Sequence, residues 1–197
     1  MSDYLAARHY LPKTWTDARQ EIRPSPIQGN GIFARAAIRQ GEIVEIIGGQ
    51  VMTEAEFETL QRNTPRYNAV QIGEGLHLVE LPENTQQRAG SLNHSCDSNL
   101  WMADEVKLVA RWDIAAGQEL TVDYALFTAQ SQWVMDQPCR CGSPLCRTTI
   151  TGNDWKLPDV QARYRNHFSP FLNERIAQRR ARLGRSHSDH SEIEPKA

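Results

Sequence analysis

Three cysteines packed into eight residues constrain this chain more than any other feature. Cys139, Cys141 and Cys146 form a C-x-C-x4-C array, with Gly142 and Pro144 placed to bend the backbone between them. Three thiolates at that spacing can converge on one ion, and a structural zinc site takes four ligands, usually Cys and His. The fourth must come from elsewhere. Cys96 is the only other cysteine, and His94 beside it is a competitor. A zinc ion (Zn2+) held this way would pull the C-terminal segment onto the loop around Cys96. The rival reading, incidental or redox-active thiols, fits poorly with so tight a cluster.

The zinc reading depends on a reducing compartment. Residues 1–20 lack a continuous apolar stretch and carry Asp3, Arg8, Lys13, Asp17 and Arg19, which reads as no signal peptide. No apolar run approaches the roughly 20 residues that span a bilayer, so no membrane partner is expected. The expected location is intracellular and cytoplasmic, or nuclear if the protein is eukaryotic or delivered to a eukaryotic host. There, four cysteines make better metal ligands than disulfides. At 197 residues the chain fits one domain with a modest extension, and a net charge of -2 creates no field toward nucleic acid. Direct nucleic-acid binding is therefore not indicated. Arg175, Arg179, Arg180, Arg182 and Arg185 do cluster; they read as a solvated helix face or as a docking surface for an acidic partner.

The pattern along the chain is mainly β with short helices. Residues 1–20 read as an N-terminal arm. Strand-like runs follow at 43–47, ended by Gly48-Gly49, and at 76–81, stopped by Pro82. Residues 106–112 and 119–124 alternate and are joined by a turn at Ala115-Ala116-Gly117. One helix is signalled by a capping box, Thr53 with Glu56, and by Phe57 and Leu60 on its apolar face. Beyond Cys146, Val160, Tyr164 and Phe168 recur as on one helix face, and Leu172, Ile176 and Leu183 continue on a second, Arg-rich helix after Pro170. Trp155, Tyr164, Phe168 and Phe171 read as core residues or, alternatively, as a lid over a channel. From about Ser186 the chain reads as a disordered tail.

Gly29-Asn30-Gly31-Ile32-Phe33-Ala34 matches the G-x-G-x-x-A dinucleotide fingerprint. That fingerprint needs a buried strand before it and a crossover helix after it. Here Pro24 and Pro26 precede it, and Gly41 follows too soon for such a helix. What remains is a turn whose glycines, lacking Cβ, let a ligand approach the backbone. Ser91 to Asn99 is dense in hydrogen-bonding side chains, and Glu119-Leu120-Thr121-Val122-Asp123-Tyr124 could be an ordinary strand.

The order of these motifs carries more information than any one of them. Glycine turn, Asn93-His94-Ser95-Cys96, Glu119 to Tyr124 and the cysteine array succeed one another, with Ile38-x-x-Gly41, Asn99 and Gly117-x-Glu119 at matching places. In this the chain resembles the SET-domain protein-lysine methyltransferases with a post-SET zinc-binding segment. The resemblance implies a SET-domain fold of several small sheets with a pseudoknot, plus a C-terminal helical extension. The implied layout is an arm over 1–20, a catalytic domain over 21–127, a zinc-binding segment over 138–150, helices over 151–184 and a tail over 185–197.

The resemblance also implies roles. S-adenosyl-L-methionine would lie against Gly29, Asn30, Gly31 and Ile32, with Asn93 and His94 as further cofactor contacts. Tyr124 would be the catalytic tyrosine and Tyr67 a weaker match to a second one, both near the cofactor. Cys96, Cys139, Cys141 and Cys146 would hold one structural zinc. The partner would be a protein presenting a lysine, such as a histone tail or a ribosomal protein; the alternative is a SET-like module that binds peptides without catalysis. Three positions depart from the family pattern: Ser98 stands where Pro is common, Thr148 where Gly is common, and Val122 where Phe or Tyr is common.

Overall fold

The structure, a computed structural model, describes residues 9–64, 67–81 and 91–188. It is mainly β. The larger sheet runs in the order β1 (Trp15–Thr16), β4 (Ile43–Ile46), β10 (Lys107–Ala110), β9 (Leu100–Met102), β11 (Glu119–Val122), β3 (Asn30–Ala34) and β2 (Gln20–Pro24), with β8 (Asn93–His94) also on β11. A second sheet contains β5 (Gln50–Thr53), β7 (Leu76–Glu80) and β6 (Asn68–Gly73) in that order.

The arm expected over residues 1–20 is partly built into the sheet. Trp15 and Thr16 pair with Ile46 and Glu45, and Gln20 opens the β2–β3 hairpin. The turn at Ala115-Ala116-Gly117 is present, with Gly117 at φ +84. The strands it joins do not pair with each other, however. β9 lies between them, antiparallel to β10 and parallel to β11. Leu108, Val109 and Ala110 are all buried, as are Leu120, Thr121 and Val122, because both faces of these central strands are covered.

Helix α1 (Glu54–Asn63) starts where its capping box puts it. The Glu56 N–H donates to Thr53 Oγ1 at 3.4 Å and the Thr53 N–H donates to Glu56 Oε2 at 2.8 Å. Helix α2 (Pro158–Tyr164) is shorter than the spacing predicts. The chain leaves it at Arg165, φ +49, so Phe168 enters the core from a connection and not from a helix face. Helix α3 (Pro170–Ser188) opens on proline, whose fixed φ suits a first turn. Phe171, Leu172 and Ile176 are buried, whereas Leu183 is 54% exposed. The helix reaches Ser188, past the expected start of a tail at 185; residues 189–197 lie outside the described residues.

One core unites sheet and C-terminal helices. Ile32, Leu100, Leu108 and Leu120 pack in the same cluster as Trp155, Tyr164, Phe168 and Phe171. These aromatics are therefore core residues and not a lid; each contributes about 1.5–3 kcal/mol by burial. A small separate cluster joins Cys96, Cys139 and Ile150, with Trp133 and Met135 packed on it. Among the described residues no helix is long and apolar enough to cross a membrane.

Candidate active site

The two polar motifs meet because β8 lies parallel to β11. Asn93 is opposite Thr121 and His94 is opposite Val122. Asn99 extends the pairing with its side chain: its amide donates to the Glu119 carbonyl at 2.8 Å and its Oδ1 accepts from the Thr121 N–H at 2.8 Å. His94 then locks the next residue. Its Nδ1 accepts from the Tyr124 N–H at 3.2 Å, and its Nε2 lies 3.2 Å from Cys96 Sγ. These partners assign the neutral, Nε2-protonated imidazole. Burial agrees, holding the His94 pKa down at about 4 against the pull of Asp123.

The Tyr124 hydroxyl donates to the Leu92 carbonyl at 3.0 Å, and its ring sits 5.1 Å from His94. Burial pushes its phenol up to about 12, so it remains a neutral donor at ordinary pH. Tyr124 borders two adjoining cavities, one of about 780 Å³ and one of about 180 Å³. The larger is within the size range of cofactor and substrate sites. Tyr67, Val122, Asn93 and Leu92 line it, and His94 lines the smaller one. The Tyr67 hydroxyl accepts from Gln61 Nε2 at 2.9 Å and its ring meets Phe57 edge-on at 5.4 Å.

The glycine turn is split. Gly29 and Asn30 line the larger cavity, whereas Gly31 and Ile32 lie behind them, with Ile32 in the core. Ligand approach is thus not what requires both glycines. Gly29 adopts φ +51, a left-handed backbone. At Gly31 a Cβ would stand 2.2 Å from Glu119 Oε1. A side chain there would have to push the Glu119 carboxylate out of its place.

The four cysteines converge. Their sulfurs all lie within 4.8 Å of one another. Four sulfurs on a tetrahedral zinc sit about 3.8 Å apart, so the set fits that ion. Cys96 takes the fourth place, and His94 contacts its sulfur without joining the group. Burial pushes the Cys139 thiol up to about 12, and the neighbouring thiols add to that; ionising several together needs a compensating cation.

Sequence reasoning missed the residue that ties this cluster to the sheet. Arg147 donates Nη1 and Nη2 to the two oxygens of Asp123, each at 2.7 Å, and Nε to Asp154 at 2.8 Å. Asp123 is fully buried. Asp123 also caps the turn Tyr124–Leu126 by accepting from the Ala125 N–H. Only the adjacency of Arg147 to the last cysteine hinted at this. Residues 128–137 were likewise unassigned; Trp133 and Met135 from that stretch line the larger cavity, together with Phe127.

The family model described as "SET domain" matches residues 29–125. The chain carries a SET domain. That span begins at Gly29 and ends just past Tyr124, so it encloses the glycine turn, β8 and β11. The chain is 31% identical to histone-lysine N-methyltransferase ash1 of Drosophila melanogaster over 156 residues, 69% of this chain and 7% of that protein. It is 27% identical to histone-lysine N-methyltransferase ATX2 of Arabidopsis thaliana over 172 residues, 80% of this chain and 15% of that protein. Among solved structures, the methyltransferase domain of human histone-lysine N-methyltransferase SETMAR aligns at TM-score 0.48 and 19% identity, over 68% of this chain and 58% of that one. The chain spans less than a sixth of the length of the ash1 and ATX2 proteins.

Proposed function

We propose that this SET domain transfers methyl groups from S-adenosyl-L-methionine to the side-chain amine of a lysine in a protein substrate. The observation that carries the reading is the convergence of Asn93, His94 and Tyr124 with the glycine turn around adjoining cavities. Gly29, Asn30, Asn93 and His94 would hold the cofactor, which supplies a methyl group on a positively charged sulfur. Cys96, Cys139, Cys141 and Cys146 would hold zinc in a structural role.

The acceptor must be a neutral amine, and a free lysine has a pKa of about 10.4. Apolar groups at the cavity, among them Leu92, Val122 and Phe127, favour the uncharged form. The proton leaves to solvent before transfer, so no strong base is needed. The Tyr124 hydroxyl, a neutral donor and acceptor, orients the amine. Alignment of amine and methyl is the main contribution and can supply ~7–11 kcal/mol. Val122 brings no hydroxyl and little bulk beside Tyr124, which favours addition of more than one methyl group.

The names of the relatives make histones the first substrates to test; ribosomal and other proteins are the next. The test is incubation with tritiated cofactor and core histones or whole-cell lysate, then acid hydrolysis. Radiolabelled methyl-lysine is the expected product. Cofactor binding without any labelled protein would favour the binding-module reading instead.

A further inference from the structure

Glu119 takes no part in the transfer as described, yet it sits beneath the cofactor turn. Its two carboxylate oxygens accept from Ser25 Oγ at 2.8 and 2.9 Å. Oε1 also accepts from Asn93 Nδ2 at 2.7 Å. Both donors are themselves fasteners of the turn. With its proton committed to Glu119, Ser25 Oγ accepts from the Ile27 N–H at 2.9 Å and the Gln28 N–H at 3.4 Å. The Ser25 N–H closes the loop onto the Gly29 carbonyl at 2.9 Å. The Asn93 amide reaches the Gln28 and Asn30 carbonyls, each at 3.1 Å. One carboxylate therefore sets both ends of residues 25–30. Gly31 is matched to it, since a Cβ there would occupy the place of Oε1 and crowd Ser25 Cβ at 3.0 Å.

We infer that Glu119 is a positioning residue for the cofactor: through Ser25 and Asn93 it fixes the carbonyls and N–H groups of the glycine turn against which S-adenosyl-L-methionine binds. The inference rests on the cofactor assignment above. Among the described residues no Lys, Arg or His forms an ion pair with Glu119. Its binding strength toward the turn comes from charge-assisted hydrogen bonds, about twice as strong as neutral ones.

The test is calorimetric binding of S-adenosyl-L-methionine to wild type, Glu119→Ala, Glu119→Gln and Ser25→Ala, with thermal melting and steady-state kinetics on the same samples. Glu119→Ala should weaken cofactor binding about tenfold or more and raise the cofactor KM alike. Its kcat at saturating cofactor and its KM for the protein substrate should stay within about twofold. Glu119→Gln, which keeps one acceptor and the shape, should recover part of the loss, and Ser25→Ala should shift binding the same way by less. Wild-type affinity in both Glu119 variants overturns the inference, as does a fall in kcat and melting temperature with unchanged cofactor affinity. Should Glu119→Ala fail to fold, Glu119→Gln and Ser25→Ala carry the same comparison. A wild-type protein that does not bind the cofactor overturns the functional reading, and the inference with it.

Discussion

On one side of Tyr124, residues 91–94 and 119–122 are held by strand pairing and by side chains that imitate it. On the other, residues 127–150 contain no strand and carry one isolated bridge, Val134 with Thr151. The first wall rests on the main core, with Leu120 and Val122 fully buried. The second touches that core only at its start, through Phe127 and Ala129, and from Trp133 onward packs on a cluster of three buried residues, two of them cysteines. Backbone ladders hold their geometry without help, whereas an irregular segment with so small a core needs a crosslink. The four sulfurs supply the place for one. The cavity is built between a wall that folds on its own terms and a wall that depends on the cysteine cluster.

Arg147 joins the two walls, so removing it is the strongest way to break the comparison. Arg147→Ala would leave Asp123 and Asp154 buried without their cation and should cost ~3–5 kcal/mol of unfolding free energy, read by chemical denaturation. A loss below about 1 kcal/mol would mean that the walls are not joined there.

Tyr124 lies on the hydrogen-bonded side, where one hydroxyl can be removed without disturbing a ladder. Tyr124→Phe should lower turnover by about 10²-fold while changing stability by no more than about 1 kcal/mol. Because burial raises the phenol to about 12, it stays protonated, and its contribution begins to fail only as pH climbs toward that value. The wild-type rate should therefore show no fall due to Tyr124 between about pH 7 and about pH 9. Near-normal transfer by the variant would remove Tyr124 from the mechanism.

The smallest effect concerns the irregular wall alone. Thr148 adopts φ +63, a left-handed conformation that costs a β-branched residue energy. Its carbonyl accepts from the Cys139 N–H at 2.7 Å, so the conformation is fixed by the cysteine loop. Thr148→Gly should stabilise the protein by about 1 kcal/mol, measured by thermal melting. No gain would mean that the loop does not impose this backbone.

The same contrast explains what could be read from the sequence. The capping box of Thr53 and Glu56 and the C-x-C-x4-C array are local, so their partners are within reach of inspection. The order of the motifs was enough to identify the SET domain. Ser98 stands where Pro is common in the family, and serine lacks the ring that would stiffen this turn. Instead its N–H reaches the Tyr164 hydroxyl at 3.3 Å and its Oγ donates to the Leu100 carbonyl at 2.8 Å, so hydrogen bonds replace ring stiffness. That contact spans 66 residues and has no local signature. The insertion of β9 between β10 and β11 hid for a similar reason: a turn between alternating runs looks like a hairpin until a third strand claims both. Glu119 reads as an ordinary polar strand residue until β3 pairs with β11 and brings Gly31 over its carboxylate.

If the cavity needs both walls, then removing metal should disable the irregular wall while sparing the other. The direct measurement follows zinc content, methyl transfer and far-ultraviolet circular dichroism on the same samples during chelation. Transfer should fall in step with bound zinc while the β signal persists. Metal-free protein that retains full methyl transfer would contradict the account.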